Sequence, residues 1–192
     1  LHRRFSFILP FGFLLSGFAL LVSYLGQMNP QITPLMPVLV SPWLSIHVSL
    51  IMMSYALLAF IMLNGILALC LRKKESENNV SGNDAIQYNR IEQLTLVSRL
   101  LLYPATFFLG AGIFLGAVWA NVSWGRYWAW DPKEVWALIT FLVYGVAFHS
   151  QSLRIFRKPL FFHIYMILAF LTVLMTYFGV NYVLGGMHSY AN

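Results

Sequence analysis

The stretch "SPWLSIHVSLIMMSYALLAFIMLNGILALCLRKK", residues 41–74, decides the class of fold. Within it, residues 44–71 carry no Asp, Glu, Lys or Arg, and a helix needs about 20 apolar residues to cross a bilayer. The segment ends at Arg72 and two lysines, whereas His47 lies roughly one turn inside the opposite end. The stretch predicts a membrane-spanning helix with a basic end. Its lone polar residue in mid-span, Asn64, predicts a hydrogen bond to another helix.

The composition of the whole chain agrees with a membrane protein. Only 9% of the residues are charged, 59% are hydrophobic and the mean hydropathy is +0.71, whereas soluble proteins carry about 25% charged residues. Lys and Arg set the orientation of membrane proteins, so the net charge of +6 does not indicate a nucleic-acid partner. We treat residues 1–192 as one transmembrane domain in the lipid bilayer. Since the chain begins at Leu1, we expect further sequence upstream.

Five segments are apolar and long enough to span a bilayer, which predicts an all-α integral membrane protein built as a bundle of about five transmembrane helices. Ten basic residues fall on one side of this arrangement, and only Arg126 and Lys133 fall on the other. By the positive-inside rule, the N-terminus is cytoplasmic and the C-terminus is external. Residues 72–96 then form a cytoplasmic loop, and residues 121–134 form an external loop. The five segments are residues 5–26, 44–71, 97–120, 135–153 and 160–184.

Three histidines are candidate ligands. His47 lies near the outer end of its span, and His188 follows the last span in "GGMHSY", so both belong to the external side. Two imidazoles on one side can hold haem iron as axial ligands, but each could equally form a hydrogen bond at the interface. His149 lies inside the fourth predicted span, where an ionisable residue is a candidate functional group. Its closeness to Arg154 also permits a plain interfacial role.

The external loop contains "SWGRYWAWDPKE", residues 123–134, with three of the six tryptophans. Trp124, Trp128 and Trp130 offer broad apolar faces for a flat macrocycle. Arg126 and Lys133 could pair with carboxylates. An interfacial aromatic belt is the simpler alternative for such residues. A belt does not by itself predict tryptophans mixed so tightly with cations and acids.

The end of this motif also has a structural explanation. In "DPKE", Asp131 suits the N-cap of a helix, Pro132 its first position and Glu134 its third. We therefore assign Asp131 mainly to capping of the fourth helix.

Three segments together resemble a known family. The run "GAVWANVSWGRYWAWDPKEVWALITFLVYGVAFHSQ" resembles the tryptophan-rich signature of the cytochrome c assembly proteins, which handle haem during the maturation of c-type cytochromes. The stretches "SPWLSIHVSLIMMSYALL" and "FGVNYVLGGMHSY" are similar to the two external-histidine segments of the CcsA/ResC branch. The segments occur in the family's order and are distributed from residue 41 to residue 190. Family members have further N-terminal sequence, and their second inner histidine lies upstream or in a partner.

The resemblance implies that the chain binds haem b without a covalent bond and works with a CcsB/ResB-type membrane partner. It would present haem at the external face to apocytochrome c, where thioether bonds form with the substrate's Cys-x-x-Cys-His thiols. As an enzyme, it would be a lyase-type component of a cytochrome c synthase. The implied location is the bacterial cytoplasmic membrane, or the thylakoid membrane in a plastid.

The resemblance also implies roles for particular residues. His47 and His188 would be axial ligands of the external haem iron, and His149 would be a ligand at an inner haem site. The loop residues that would contact haem are Trp124, Arg126, Trp128, Trp130 and Asp131.

Two other functions stay open at this point. A b-type electron-transfer cytochrome would also use histidine pairs, although such ligands usually face each other from within the spans. A transporter without a cofactor would use the aromatic loop as a belt and gate, but transporters often carry charges or broken helices at mid-membrane.

Overall fold

The computed structural model describes residues 10–17, 20, 41–77, 84–150 and 152–184, and these are helical apart from short connections. No strand occurs in these ranges, which confirms the prediction of an all-α protein. The chain divides into two units, Leu1–Val40 and Ser41–Asn192. In the first unit, residues 10–17 form helix α1.

The second unit contains four longer helices, which we label α2 to α5. Two short 3₁₀ turns, Ala147–His149 and Arg154–Arg157, lie between α4 and α5. The last helix continues without a break as a π-helix, Met175–Leu184. The α-helices are α2 (Pro42–Glu77), α3 (Asp84–Trp124), α4 (Pro132–Val146) and α5 (Pro159–Leu174).

Prolines and a capping box fix where these helices begin. Proline occupies the first position of α2, α4 and α5, where its missing N–H would have had no helical partner. At α4, the Asp131 carboxylate accepts a hydrogen bond from the Lys133 backbone N–H at 3.1 Å. The Glu134 carboxylate accepts from the Asp131 N–H at 3.2 Å. The capping box predicted for "DPKE" is confirmed.

Three of the predicted spans are confirmed as long apolar helices within the described residues. By length and composition, Pro42–Arg72, Asn89–Trp124 and Pro159–Leu184 can each cross a membrane. Most of the first predicted span, residues 5–26, lies outside the described residues.

The fourth predicted span, residues 135–153, is helical as far as His149, with a change of winding at Ala147. Helix α4 has 15 residues, which rise about 22 Å at 1.5 Å per residue, less than the roughly 30 Å of a hydrocarbon core. The 3₁₀ turn that follows ends at His149. The turn follows α4 directly, so residues 132–149 are 18 consecutive helical residues, and the fourth span stays a prediction.

Helix extends into both predicted loops. Helix α2 runs to Glu77 and α3 begins at Asp84, so helix occupies most of the cytoplasmic loop expected over residues 72–96. Lys, Glu, Gln and Ala are good helix formers in water, so the helices extend beyond their apolar segments. In the external loop expected over residues 121–134, only residues 125–131 are irregular.

The core lies where α2, α3, α4 and α5 meet. Gly65 lets α2 approach α5 closely, because a Cβ there would lie 3.1 Å from the backbone oxygen of His163. Small residues serve this purpose in membrane bundles. The largest buried side chains of this cluster include Leu58, Ile61, Tyr144, Phe162 and Met166.

Buried polar groups connect the helices inside the bundle. The Asn64 amide donates to the Ser98 hydroxyl at 3.1 Å, from α2 to α3, which confirms the interhelical bond predicted for Asn64. The Ser54 hydroxyl donates to the Ala105 backbone oxygen at 2.8 Å. The outward faces are apolar and include exposed Phe107 and Phe114. Large apolar side chains exposed in this way are typical of surfaces covered by lipid or another protein.

Candidate functional site

A cavity of about 200 Å³ opens at the end of the bundle where α2 begins. Four helical elements and the tryptophan-containing loop meet there, so side chains from distant parts of the sequence share one space. We call it the outer cavity. Its aromatic and polar lining includes His47, Tyr55, Tyr127, Trp128, Lys133, Glu134, Thr176, Tyr177 and Asn181.

His47 is held in a defined orientation by the backbone of α3. Its Nδ1 lies 2.7 Å from the backbone oxygen of Gly112. A carbonyl oxygen only accepts hydrogen bonds, so Nδ1 carries the proton and the lone pair of the neutral ring is on Nε2. One turn further along α3, a Cβ on Gly116 would lie 2.7 Å from Cε1 of His47. Gly116 therefore lets the imidazole lie directly against α3, while Gly112 supplies the carbonyl oxygen that orients it.

This arrangement suits a metal ligand. Histidines that bind metals usually donate their other ring N–H to a carbonyl or carboxylate, which fixes the tautomer and the ring orientation. His47 is fixed in this way, and its Nε2 is the nitrogen able to coordinate.

Hydroxyl-bearing side chains, Tyr55 and Thr176, line the inner wall of the outer cavity. The Thr176 hydroxyl oxygen lies 3.2 Å from that of Thr140, which is buried behind the wall. The π-helical segment contributes Thr176, Tyr177 and Asn181 to this wall. π-Helical turns are rare and occur frequently at functional sites.

The loop contributes one tryptophan to the cavity and displays another. Trp128 lines the cavity, and its ring lies edge-on to Trp130 with centroids 6.1 Å apart. Trp130 is 76% exposed and has a φ of 59°, which is unusual for a bulky residue. Backbone conformations of this kind cluster at functional sites. Trp124 lies at the end of α3, where its ring packs edge-on against Trp119.

Lys133 is the basic residue that lines the cavity. It precedes the apolar part of α4, and burial lowers its pKa from 10.5, although the nearby Asp131 carboxylate acts in the opposite direction. A partly desolvated ammonium interacts more strongly with an anion than one in water. Arg126 is exposed and is not among the residues that line the cavity.

The structure thus brings together some of the predicted site residues. His47, Trp128 and Lys133 share the outer cavity, whereas His149 is exposed at the far end of α4. His188 lies outside the described residues. Four further predicted residues are near Trp128 in sequence but do not line the cavity: Trp124, Arg126, Trp130 and Asp131.

Sequence reasoning missed the hydroxyl-bearing wall. Tyr55 lies eight residues after His47, about two turns along the same helix, and this spacing could have indicated it. Tyr177 and Asn181 lie four residues apart in the last span, and this spacing places both on one face of an ordinary helix.

Comparison with known proteins relates the whole chain to one family. The sequence profile of the cytochrome c assembly proteins matches residues 1–188. The protein NrfI of Wolinella succinogenes is 40% identical over 190 residues, which make up 98% of this chain and 20% of NrfI. The cytochrome c biogenesis protein CcsA of Chlamydomonas reinhardtii is 39% identical over 193 residues, covering 96% of this chain and 50% of that protein.

A third relative is also similar over nearly the whole chain. CcsA of Prochlorococcus marinus strain NATL1A is 34% identical over 207 residues, covering 94% of this chain and 64% of that protein. The chain therefore spans between one fifth and about two thirds of the length of these three relatives.

Proposed function

Because the chain belongs to the cytochrome c assembly protein family, we propose that it binds haem b as a substrate at the outer cavity. It presents this haem at the external membrane face, where it is ligated to apocytochrome c. The topology in this proposal is the one indicated by the basic residues, with the N-terminus cytoplasmic and the C-terminus external.

The fixed orientation of His47 carries the proposal. The 2.7 Å bond from Nδ1 to the Gly112 oxygen leaves Nε2 as the coordinating nitrogen, so His47 is prepared to be one axial ligand of the iron. His188 is proposed as the second ligand. Gly116 of α3 supports this orientation, because any larger residue at that position would collide with the imidazole ring.

The size of the outer cavity suggests how haem is held. Small-molecule sites usually enclose roughly 300–1,000 Å³, so a cavity of about 200 Å³ is suited to one edge of a macrocycle rather than the whole. Trp128 and Tyr127 line the cavity beside the loop, and they offer aromatic faces to the remainder of the ring. Lys133 is positioned to pair with a propionate, and the exposed Trp130 extends the aromatic surface outward.

The proposed ligation reaction requires little acid–base catalysis from this chain. Each thiol of the substrate's Cys-x-x-Cys-His motif adds across one vinyl group, so that sulfur bonds to one vinyl carbon and the proton goes to the other. The addition is redox-neutral. The protein contributes by holding two reactants in position, which can account for a large part of a rate enhancement.

The remaining parts of the proposal concern the membrane context. A CcsB/ResB-type protein would be the membrane partner, and the bacterial cytoplasmic membrane or a thylakoid membrane would be the location. His149, at the opposite end of α4 from the outer cavity, would serve an inner haem site together with a ligand from elsewhere.

The test replaces the two proposed axial ligands. We expect the H47G/H188G variant to lose its haem absorption band after expression in haem-replete cells, and to fail in the maturation of cytochrome c. The S49G variant is the matched control, because Ser49 is an exposed residue of the same helix and also acquires a helix-weakening glycine. Haem content and maturation at the wild-type level in H47G/H188G would contradict the proposal.

A further inference from the structure

A second concave surface lies at the other end of the bundle. It measures about 840 Å³ and is formed by the end of the apolar part of α2 and by the first turns of α3 and α5. Arg72 in this groove and His47 in the outer cavity are 25 residues apart on α2, which corresponds to about 37 Å along the helix. We call it the basic groove; its lining is Ala68, Leu69, Arg72, Ile91, Lys158, Pro159, Leu160, Phe161, His163 and Ile164.

The lining combines positive charge with apolar surface. Arg72 and Lys158 are exposed, and none of the described residues that line the groove is acidic. The other lining residues, His163 apart, are apolar. Such a surface is complementary to an amphiphile with an anionic head and an apolar body.

His163 contributes an unsatisfied acceptor. The Thr95 hydroxyl donates to the Ile91 backbone oxygen at 2.8 Å, so at 2.9 Å it accepts from Nε2 of His163. The lone pair of the ring is then on Nδ1. Although His163 is only 1% exposed, Nδ1 has no hydrogen-bond partner in the described part of the chain. A buried acceptor without a donor destabilises a protein, so a ligand that supplies a hydroxyl would be favoured here.

The apolar side of the groove continues along α5. Ile164, Leu168 and Leu171 are exposed, and their spacing places them on one face of the helix. An acyl chain that leaves the groove at Ile164 can follow this face through the membrane.

We propose that the basic groove binds an anionic phospholipid whose headgroup carries hydroxyls, as phosphatidylglycerol does. The phosphate lies between Arg72 and Lys158, a headgroup hydroxyl donates to Nδ1 of His163, and one acyl chain follows the exposed face of α5. Basic pockets between helices at the cytoplasmic side of a membrane are suited to anionic headgroups. This site is independent of the outer cavity and of the function proposed there.

Native mass spectrometry of the full chain in detergent tests the proposal. The chain is titrated with phosphatidylglycerol and with phosphatidylcholine of the same acyl composition. Each Lys or Arg near an anionic surface contributes about 1 kcal/mol, so R72Q and K158Q should each weaken phosphatidylglycerol binding about fivefold. R154Q is the matched control, because Arg154 is exposed in the same basic region and does not line the groove; its affinity should stay at the wild-type level. Equal retention of the two lipids, or an equal effect of R154Q, would overturn the assignment.

Phosphatidylmethanol tests the role of His163. It carries the same charge as phosphatidylglycerol but has no headgroup hydroxyl. Satisfying a buried acceptor contributes about 1 kcal/mol, so phosphatidylmethanol should bind about fivefold more weakly; equal binding would refute the contact with Nδ1. Displacement of phosphatidylglycerol by equimolar haem would show that the groove belongs to haem instead.

Discussion

Replacement of Gly116 by alanine tests whether α3 positions the His47 ring, and it leaves the proposed ligand itself in place. The added Cβ would lie 2.7 Å from Cε1 and 2.8 Å from Nδ1 of His47, whereas ordinary contacts begin at 3.4 Å. The imidazole must therefore retreat by about 0.7 Å or the helices must separate. Since the bond from Nδ1 to the Gly112 oxygen is 2.7 Å long, a retreat of this size would stretch it beyond useful hydrogen-bond length.

Two effects of G116A are expected. Overpacking destabilises cores by about 1–3 kcal/mol, which lowers the unfolding midpoint in detergent. Loss of the bond that orients a histidine ligand usually weakens metal binding about 10- to 100-fold. Haem affinity should fall by this factor, as measured by titration of the apoprotein with haem at the absorption band.

G145A separates the steric effect at His47 from a general effect of alanine in a helix. Nothing lies within 4 Å of a Cβ on Gly145, and this residue belongs to α4, where alanine should stabilise by about 0.5–1 kcal/mol. We expect G145A to bind haem like the wild type. If G116A and G145A bind haem equally well, the argument that α3 positions His47 is wrong.

Three further predictions concern the capping box, the bundle interior and Lys133. D131A should lower the free energy of unfolding by about 1 kcal/mol. D131N still caps the helix, so its free energy of unfolding should differ from the wild type by only a few tenths of a kcal/mol, and it should bind haem normally. Loss of haem from D131N would show that the carboxylate acts directly. A double-mutant cycle on Asn64 and Ser98, measured by unfolding in mixed micelles, should give a coupling of about 0.6 kcal/mol, and no coupling would contradict the 3.1 Å bond. Because the pKa of Lys133 in the folded protein is below 10.5, the unfolded chain binds more protons between the two pKa values, so stability should rise with pH up to about 10.5. K133M should flatten this rise in thermal unfolding scans, and an unchanged slope would contradict the lowered pKa.

Several parts of the fold could be predicted from short stretches of sequence alone. An apolar segment in lipid must satisfy its backbone groups internally, so the helices at Pro42–Arg72 and Pro159–Leu184 follow from composition alone. The start of α4 follows from the side chain of Asp131 and the proline after it. The partner of Asn64 could be expected because an unpaired amide is unfavourable in a membrane interior.

Helix winding and helix ends were not predictable in the same way. The π-helical segment Met175–Leu184 is as apolar as a membrane-spanning α-helix. The pattern of apolar residues therefore does not reveal its different winding. Hydropathy locates the membrane boundary rather than the end of a helix, so it did not reveal that helix extends into residues 72–96.

The candidate site was only partly predictable because its geometry depends on contacts between helices. Sequence indicated His47 as a ligand but could not show that Gly112 and Gly116 hold its ring. His163 follows the basic residue Lys158 closely in sequence, yet the structure buries it against Thr95. In both cases, the deciding neighbour lies more than 60 residues away in sequence.

The electron paramagnetic resonance spectrum of the ferric, haem-loaded full chain tests the coordination by His47 most directly. The wild type should give the low-spin signal of iron with two axial imidazoles. H47G should lose haem or give a high-spin signal, because one imidazole is gone. An unchanged low-spin signal of two imidazoles in H47G would contradict the assignment of His47 as an axial ligand.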